Sequence, residues 1–110
     1  MHELEYLHLG LNQLTELSSD VFSTLPKLRY IDLGWNKIQE LPKGLFDNNL
    51  NLEQINLNDN KINFIATGLF DNLTDLFVVN LSDNICIKKY YLGESKIIEL
   101  KNEIKNMNSK

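Results

Sequence analysis

The stretch 52-LEQINLNDN-60 places Leu52, Ile55 and Leu57 on an apolar ladder and closes it with an amide, Asn60. A core has no use for an unpaired polar group, so the asparagine needs a reason. Its echoes supply one. Asn12, Asn36 and Asn84 stand at steps of 24 residues from Asn60, and Leu4, Leu28, Leu52 and Leu76 open each step. A period of this size marks a repeat architecture in which each unit buries its apolar side only against its neighbours.

Three complete units follow one another: 4-LEYLHLGLNQLTELSSDVFSTLPK-27, 28-LRYIDLGWNKIQELPKGLFDNNLN-51 and 52-LEQINLNDNKINFIATGLFDNLTD-75. A fourth opens as 76-LFVVNLSDNIC-86 and then breaks. Unit positions 1, 4, 6, 11, 14, 19 and 22 should be apolar, and 20 of the 21 such sites are Leu, Ile or Phe. The exception is Asn49, beside which Leu50 reads as an apolar residue slipped by one place, with a local kink. Each unit is expected to form a short strand and then turn sharply. The turn leaves backbone N–H and C=O groups inside the coil without a sheet partner. A buried group left so costs about 1–3 kcal/mol. An asparagine side chain offers two donors and an acceptor oxygen, so Asn12, Asn36, Asn60 and Asn84 form a ladder bridging successive turns. Phe22, Phe46 and Phe70 form a second column that fills the wider, convex side.

The repeated L-x-x-L-x-L-x-x-N-x-L pattern resembles the leucine-rich repeat family over residues 4–87, and its LPKGLFDN and IATGLFDN segments resemble the 24-residue class. The resemblance implies an α/β solenoid: a horseshoe segment with a parallel concave β-sheet, an irregular convex side and a C-terminal capping helix. It implies two parts, residues 1–87 as repeats and 88–110 as the cap. It also implies surroundings typical of secreted recognition proteins and receptor ectodomains, Toll-type among them. The segment SDNICI followed by a Lys/Glu/Ile helix resembles the C-terminal cap of secreted insect leucine-rich repeat proteins, whose first cysteine normally pairs with a second after the helix. Cys86 is the sole cysteine, so that pairing has no second member here.

The end of the array is legible from the residues themselves. Cys86 takes the place of Leu14, Ile38 and Ile62, which predicts a buried thiol acting as a small apolar residue. Lys89 stands where an apolar residue belongs, so the coils stop near residue 87. Beyond it Ile97, Leu100, Ile104 and Met107 recur on one face of a helix, with Ser95 as the expected N-cap. Residues 1–84 hold 5 Lys/Arg against 12 Asp/Glu, and residues 85–110 hold 6 against 3. The split marks a change of structural unit or a basic tail laid on an acidic body.

The net charge of -4 argues against nucleic acid as a partner. The opening MHELEYLHLG has no basic n-region, so no signal peptide is read there, and no apolar run is long enough for a membrane helix. Nothing caps the first coil before Leu4, which points to a fragment or truncated isoform whose location is extracellular if the longer protein is secreted or a receptor. Two sequons occur, at Asn72 and Asn80; Asn72 is the candidate for glycosylation, because Asn80 falls on the expected binding face.

No phosphate loop, HExxH, paired CxxC or GxSxG occurs. Strand positions 3, 5 and 7 should face outward. They place His8 beside Asp32, where a hydrogen bond is expected. Ser82, the only hydroxyl in register, is roughly 14 Å from His8 by strand spacing, too far for a triad. No catalytic residue, metal site or cofactor is assigned, and function falls to surface recognition. The expected partner-binding residues are Tyr6, His8, Arg29, Tyr30, Asp32, Trp35, Gln54 and Asn56, among them the Tyr, Trp and Arg side chains that commonly anchor interfaces. The partner is a protein ligand or another leucine-rich repeat chain, in innate immunity or receptor-type recognition. The alternative is an assembly role, with two copies pairing as a homodimer through the uncapped N-terminal edge.

Overall fold

The computed structural model describes residues 3–109. In chain order the elements are β1 (Tyr6–His8), β2 (Tyr30–Asp32), β3 (Glu40–Leu41), β4 (Gln54–Asn56), β5 (Phe64–Ile65), β6 (Val78–Asn80), β7 (Tyr90–Leu92) and α1 (Glu94–Asn108). Each coil contributes one three-residue strand to a sheet of order β1-β2-β4-β6-β7. The first four strands run parallel, with Leu7, Ile31, Ile55 and Val79 in register. Their neighbours along each strand point the other way, as the two-residue period of a strand requires.

The 24-residue step and the in-register sheet have one cause. Leu28, Ile31, Leu33 and Ile38 are 0 % exposed, as are Leu52, Ile55, Leu57 and Ile62, because every coil lays its inward residues on those of the next. In the first coil Leu4, Leu7, Leu9 and Leu14 are only partly buried, since among the described residues no coil packs on their other side. After each strand the chain bends through a left-handed residue at Leu11, Trp35, Asp59 or Asp83. The ladder asparagine follows at once.

The asparagine ladder forms as the sequence requires. Asn60 Nδ2 donates to Leu33 O at 3.0 Å in the preceding coil and to Leu57 O at 3.1 Å in its own, while its Oδ1 accepts Ile38 N–H at 3.0 Å. Asn36 and Asn84 repeat the arrangement, and all three are buried. Asn12 is exposed and, among the described residues, donates only to Leu9 O and Gly10 O of its own coil. On the convex side Phe22, Phe46 and Phe70 stack at centroid separations of 6.1 Å. That side also carries a second, two-stranded ladder, β3 with β5, where Leu41 and Ile65 face inward one repeat apart.

Five expectations are corrected. Leu50 does not slip into the core: it is exposed, and Asn49 itself is buried, donating to Phe22 O at 3.0 Å and Leu25 O at 2.9 Å. An amide there satisfies turn carbonyls of the coil before, the ladder's chemistry moved to the convex side. Second, the four strands expected of the four units do not complete the sheet. β7 adds to it antiparallel, pairing Val78 with Leu92, Val79 with Tyr91 and Asn80 with Tyr90. The chain reverses after Ile87 and covers the last open strand edge, an exposure that proteins otherwise have to protect. Third, Cys86 is only half-buried: it packs in part against the core and lines a cavity with Glu103, Asn106 and Met107 of α1. Burial still pushes its thiol pKa up. Fourth, Ser95 lies inside the first helical turn. The helix starts directly after β7, with Gly93 as cap residue at φ 93°, a left-handed conformation glycine adopts freely. The fifth, the His8–Asp32 hydrogen bond, belongs to the site described below.

Ile97, Leu100 and Ile104 are buried and Met107 packs partly on the core, so α1 lies across the end of the array with the face its spacing selects. Asn108 Nδ2 donates to Ile65 O and to Thr67 Oγ1, both at 2.8 Å, fastening the helix end to the third coil. Among the described residues the lysine ion pairs of the tail stay within it: Lys89 pairs with Glu99 and Glu103, and Lys96 with Glu99. Of the two meanings of the charge split, a change of structural unit fits this pattern.

Tyr91 joins cap and sheet. Its ring is 1 % exposed and its hydroxyl donates to Glu103 Oε1 at 3.0 Å. Burial, helped by that hydrogen bond and the carboxylate charge, raises its pKa from the ordinary 10.0. The folded state therefore holds the phenolic proton more tightly than the unfolded chain does. Its contribution is complete below about pH 10 and is lost as pH climbs through the folded-state value. Chemical denaturation at pH 8 and pH 11 should show stability falling at the higher pH, and Tyr91→Phe should reduce that fall. In the same variant the lost hydrogen bond to a charged acceptor costs about 1.5–3 kcal/mol at pH 8.

Candidate functional site

The concave face is built by the outward residues of the five strands. One row runs Tyr6, Tyr30, Gln54, Val78 and Leu92, and the next His8, Asp32, Asn56, Asn80 and Tyr90. The first row has aromatic rings at one end, an amide in the middle and aliphatic groups at the other. Tyr6 and Tyr30 lie 6.3 Å apart between ring centroids, and His8 sits 5.2 Å from Tyr30. Tyr6, Tyr90 and Leu92 are each more than half exposed, at 55 %, 54 % and 51 %.

His8 Nδ1 and Asp32 Oδ2 are lateral neighbours as expected, but at 4.0 Å they are not hydrogen-bonded. The Asp32 carboxylate is turned toward its own strand end. Its Oδ1 accepts the Gly34 N–H at 2.9 Å and the Asn56 Nδ2 at 3.3 Å. Tyr30 has its phenol pKa raised, first by burial and then by the nearby Asp32 charge. Ser82 lies on the turn after β6, with β2 and β4 between it and the His8 strand. Among the described residues no group of three or more His, Cys, Asp or Glu could hold a metal ion.

The flank is more organised than expected. Arg29 Nε donates to Glu53 Oε2 at 2.9 Å and Nη1 to Glu5 Oε1 at 3.3 Å, so one guanidinium spans three coils. Those hydrogen bonds hold the Arg29 pKa above its ordinary value and Glu53 below its own. Arg29 is thereby committed to its neighbours and presents only its remaining exposed surface. Trp35 is 58 % exposed at the other rim, clear of the core. Asn72 is exposed and lies outside the sheet strands. Asn80 is half-buried within the sheet, its Oδ1 accepting Ser82 N–H at 3.0 Å.

Tyr90 and Leu92 are site residues that the repeat pattern did not find, because β7 stands outside it. The signal available was the run KYYLG, β-favouring aromatics closed by a glycine.

A leucine rich repeat family model matches residues 1–38 and 31–85. The chain belongs to the leucine-rich repeat family. Among solved structures it is similar to the leucine-rich repeat domain of APL1B, with 29 % identity and TM-score 0.73 over 76 % of this chain and 24 % of that one. It is also similar to TLR13 in a TLR13–ssRNA13 complex, with 27 % identity and TM-score 0.69 over 76 % of this chain and 12 % of that one. Human 5T4 (Wnt-activated inhibitory factor 1, trophoblast glycoprotein) matches at 32 % identity and TM-score 0.64 over 76 % of this chain and 30 % of that one. This leucine-rich repeat chain thus spans less than a third of each of these proteins. Comparison with curated protein sequences gives no match. Among the described residues no helix is long and apolar enough to cross a membrane.

Proposed function

We propose that the chain is a non-enzymatic recognition segment that binds a protein through its concave sheet face, as part of a secreted or receptor-type protein. The observation that carries this is the face itself. Exposed Tyr6, Tyr90 and Leu92 flank a polar centre of Gln54, Asn56 and Asn80, on strands fixed from behind by the asparagine ladder. Rigid aromatic groups around polar ones are what a protein interface needs at its anchors. A role in innate immunity fits the likeness to TLR13, and the net charge of -4 favours protein over nucleic acid here.

Size shapes the binding. Five strands at about 4.8 Å spacing give a sheet near 19 Å across, and the two outward residues of each strand, with the residue that follows in the turn, span roughly 13 Å. A stable interface needs about 800 Å² per partner, so the partner must also engage the flanks around Arg29 and Trp35.

The experiment is a selection from a display library of extracellular domains on the immobilised chain. Tyr30→Arg and Asn56→Arg should each weaken the selected partner by about thirtyfold, the effect of a 2 kcal/mol anchor. Asp47→Arg, exposed on the convex side, should change it less than about threefold. The reverse pattern overturns the proposal. Self-association has its own motive in the half-buried Leu4, Leu7, Leu9 and Leu14. A mass rising with concentration in light scattering, with no domain selected, would put a second copy in the partner's place.

A further inference from the structure

Within that recognition face, we propose that the corner formed by Asp32, Gly10, Gly34, Leu11 and Trp35 is an anchor subsite for an arginine side chain of the partner. The proposal rests on the concave-face function above and specifies what one part of that face takes.

The corner is a cleft of about 380 Å³ whose lining includes His8, Gly10, Leu11, Asp32, Gly34 and Trp35. Its residues depart from the repeat in three ways, each judged against the later coils of the same chain. The first departure is charge. Asn56 Oδ1 accepts Asn58 N–H at 3.2 Å and Asn80 Oδ1 accepts Ser82 N–H at 3.0 Å. Asp32 Oδ1 does the same for Gly34 N–H, so an amide fulfils the structural task at this position and the Asp32 charge is surplus to the fold. Among the described residues the carboxylate has no cation beside it other than His8, 4.0 Å from Oδ2, and the Tyr30 phenol lies against it; Arg29 is held by Glu5 and Glu53.

The second departure is the want of a side chain. Where the later coils carry Asn58 and Ser82, the first two carry Gly10 and Gly34. A Cβ at Gly34 would collide with the Asn58 side chain, which already occupies that place, and one at Gly10 would stand 3.1 Å from Gly34 O and 3.6 Å from Asp32 Oδ1. Glycine at position 10 keeps a side chain off the carboxylate, while at position 34 the Asn58 amide borders it. The third departure is an apolar rim. The left-handed position holds Asp59 and Asp83 in later coils, residues that tolerate φ near 57–59°, but Leu11 and Trp35 here. Both are exposed, at 81 % and 58 %, so neither is placed there by core packing.

A half-buried carboxylate paired with no lysine or arginine among the described residues, a cleft beside it and an indole at the rim suit a planar cation. A guanidinium donates to Oδ2 and stacks on an aromatic face, and it sheds water more readily than an ammonium does. The carboxylate excludes an acidic group, and the charge left over by the fold gives a neutral one no advantage.

Trp35 is the only tryptophan, so the site carries its own reporter. The test titrates the chain with N-acetyl-arginine amide and, separately, with its neutral isostere N-acetyl-citrulline amide, followed by Trp35 fluorescence and amide NMR. Arginine amide should perturb Gly10, Gly34 and the Trp35 indole, binding about tenfold more tightly than citrulline amide. Asp32→Asn, which gives the second coil the residue of the third and fourth, should abolish that tenfold preference while leaving the thermal melt in place. Trp35→Asn, suited to the left-handed backbone, should weaken arginine binding severalfold by NMR. Equal binding of the two probes, an unaffected Asp32→Asn variant, or shifts centred elsewhere would overturn the anchor. If the anchor fails while Tyr30→Arg and Asn56→Arg still lose the selected partner, the recognition face stands without it.

Discussion

Asn60→Ala should cost about 3 kcal/mol, a large share of the stability of a domain this size. The substitution removes few contacts by area but leaves the Ile38 N–H without its acceptor, in a region where Leu33, Ile38 and Leu57 are 0 % exposed. Leu33 O and Leu57 O each lose one donor and keep another, from Asn36 and Asn84 respectively. A stranded buried group costs about 1–3 kcal/mol when water cannot replace the partner, and each hydrogen bond lost beside it adds about 0.5–1.5 kcal/mol. The cavity left by the amide is small and polar, and a water entering it would recover part of the loss, which sets the estimate below the sum of the extremes. Asn12→Ala is the internal control. Its side chain is exposed and bridges no preceding coil, so its loss should cost under about 1 kcal/mol. Urea denaturation of the two variants separates the cases. Native-state hydrogen exchange adds a local reading, because the Ile38 amide should lose protection in Asn60→Ala and keep it in Asn12→Ala. Equal effects of the two substitutions would mean that the ladder does not join coils.

The contrast also explains how much of the molecule could be read from its residues. A solenoid repeats the same local problem, so each solution appears several times in register and each copy supports the others. That is why the inward leucines, the ladder and the Phe22–Phe46–Phe70 column were legible, and with them the two outward rows of the first four strands. What occurs once has no such support. Tyr90–Leu92 is a strand of three residues, too short for its alternation to stand out, and its antiparallel direction breaks the pattern that made the others visible. Asn49 misled for a different reason. An amide at an apolar position looked like a slip in register, but the turn carbonyls of Phe22 and Leu25 needed donors on the convex side too. Ser95 had the composition of a cap, yet the cap position was fixed by where β7 ended. In the site, the Asp32 neighbourhood was half legible. Its row and its neighbour His8 followed from spacing, whereas the turn of its carboxylate toward Gly34 depends on a backbone N–H that no side-chain pattern displays.

Phe46→Ala tests the other column, and its expected cost is about 3–5 kcal/mol, in the range for deleting a buried aromatic ring. Phe46 is 1 % exposed and lies between Phe22 and Phe70, with centroids 6.1 Å away on both sides and interplanar angles of 6° and 22°. Its removal opens a ring-sized void on the wide side of the coil. The surroundings can collapse into that void only by shifting the turn that carries Leu45 and Asn49, whose backbone is tied by Leu45 N–H to Pro42 O at 3.2 Å and Asn49 N–H to Phe46 O at 3.0 Å. Collapse is therefore limited, which places the cost in the upper part of the range. Phe46→Leu keeps most of the volume and should recover more than half of the loss, as volume-conserving changes do. The consequence for function is separable. The concave face is positioned from behind by Ile31, Ile55 and the ladder, so Phe46→Leu should retain partner binding within about threefold while lowering the denaturation midpoint. Were Phe46→Leu to abolish binding with the fold intact by circular dichroism, the curvature set by the phenylalanine column would itself be part of the recognition surface.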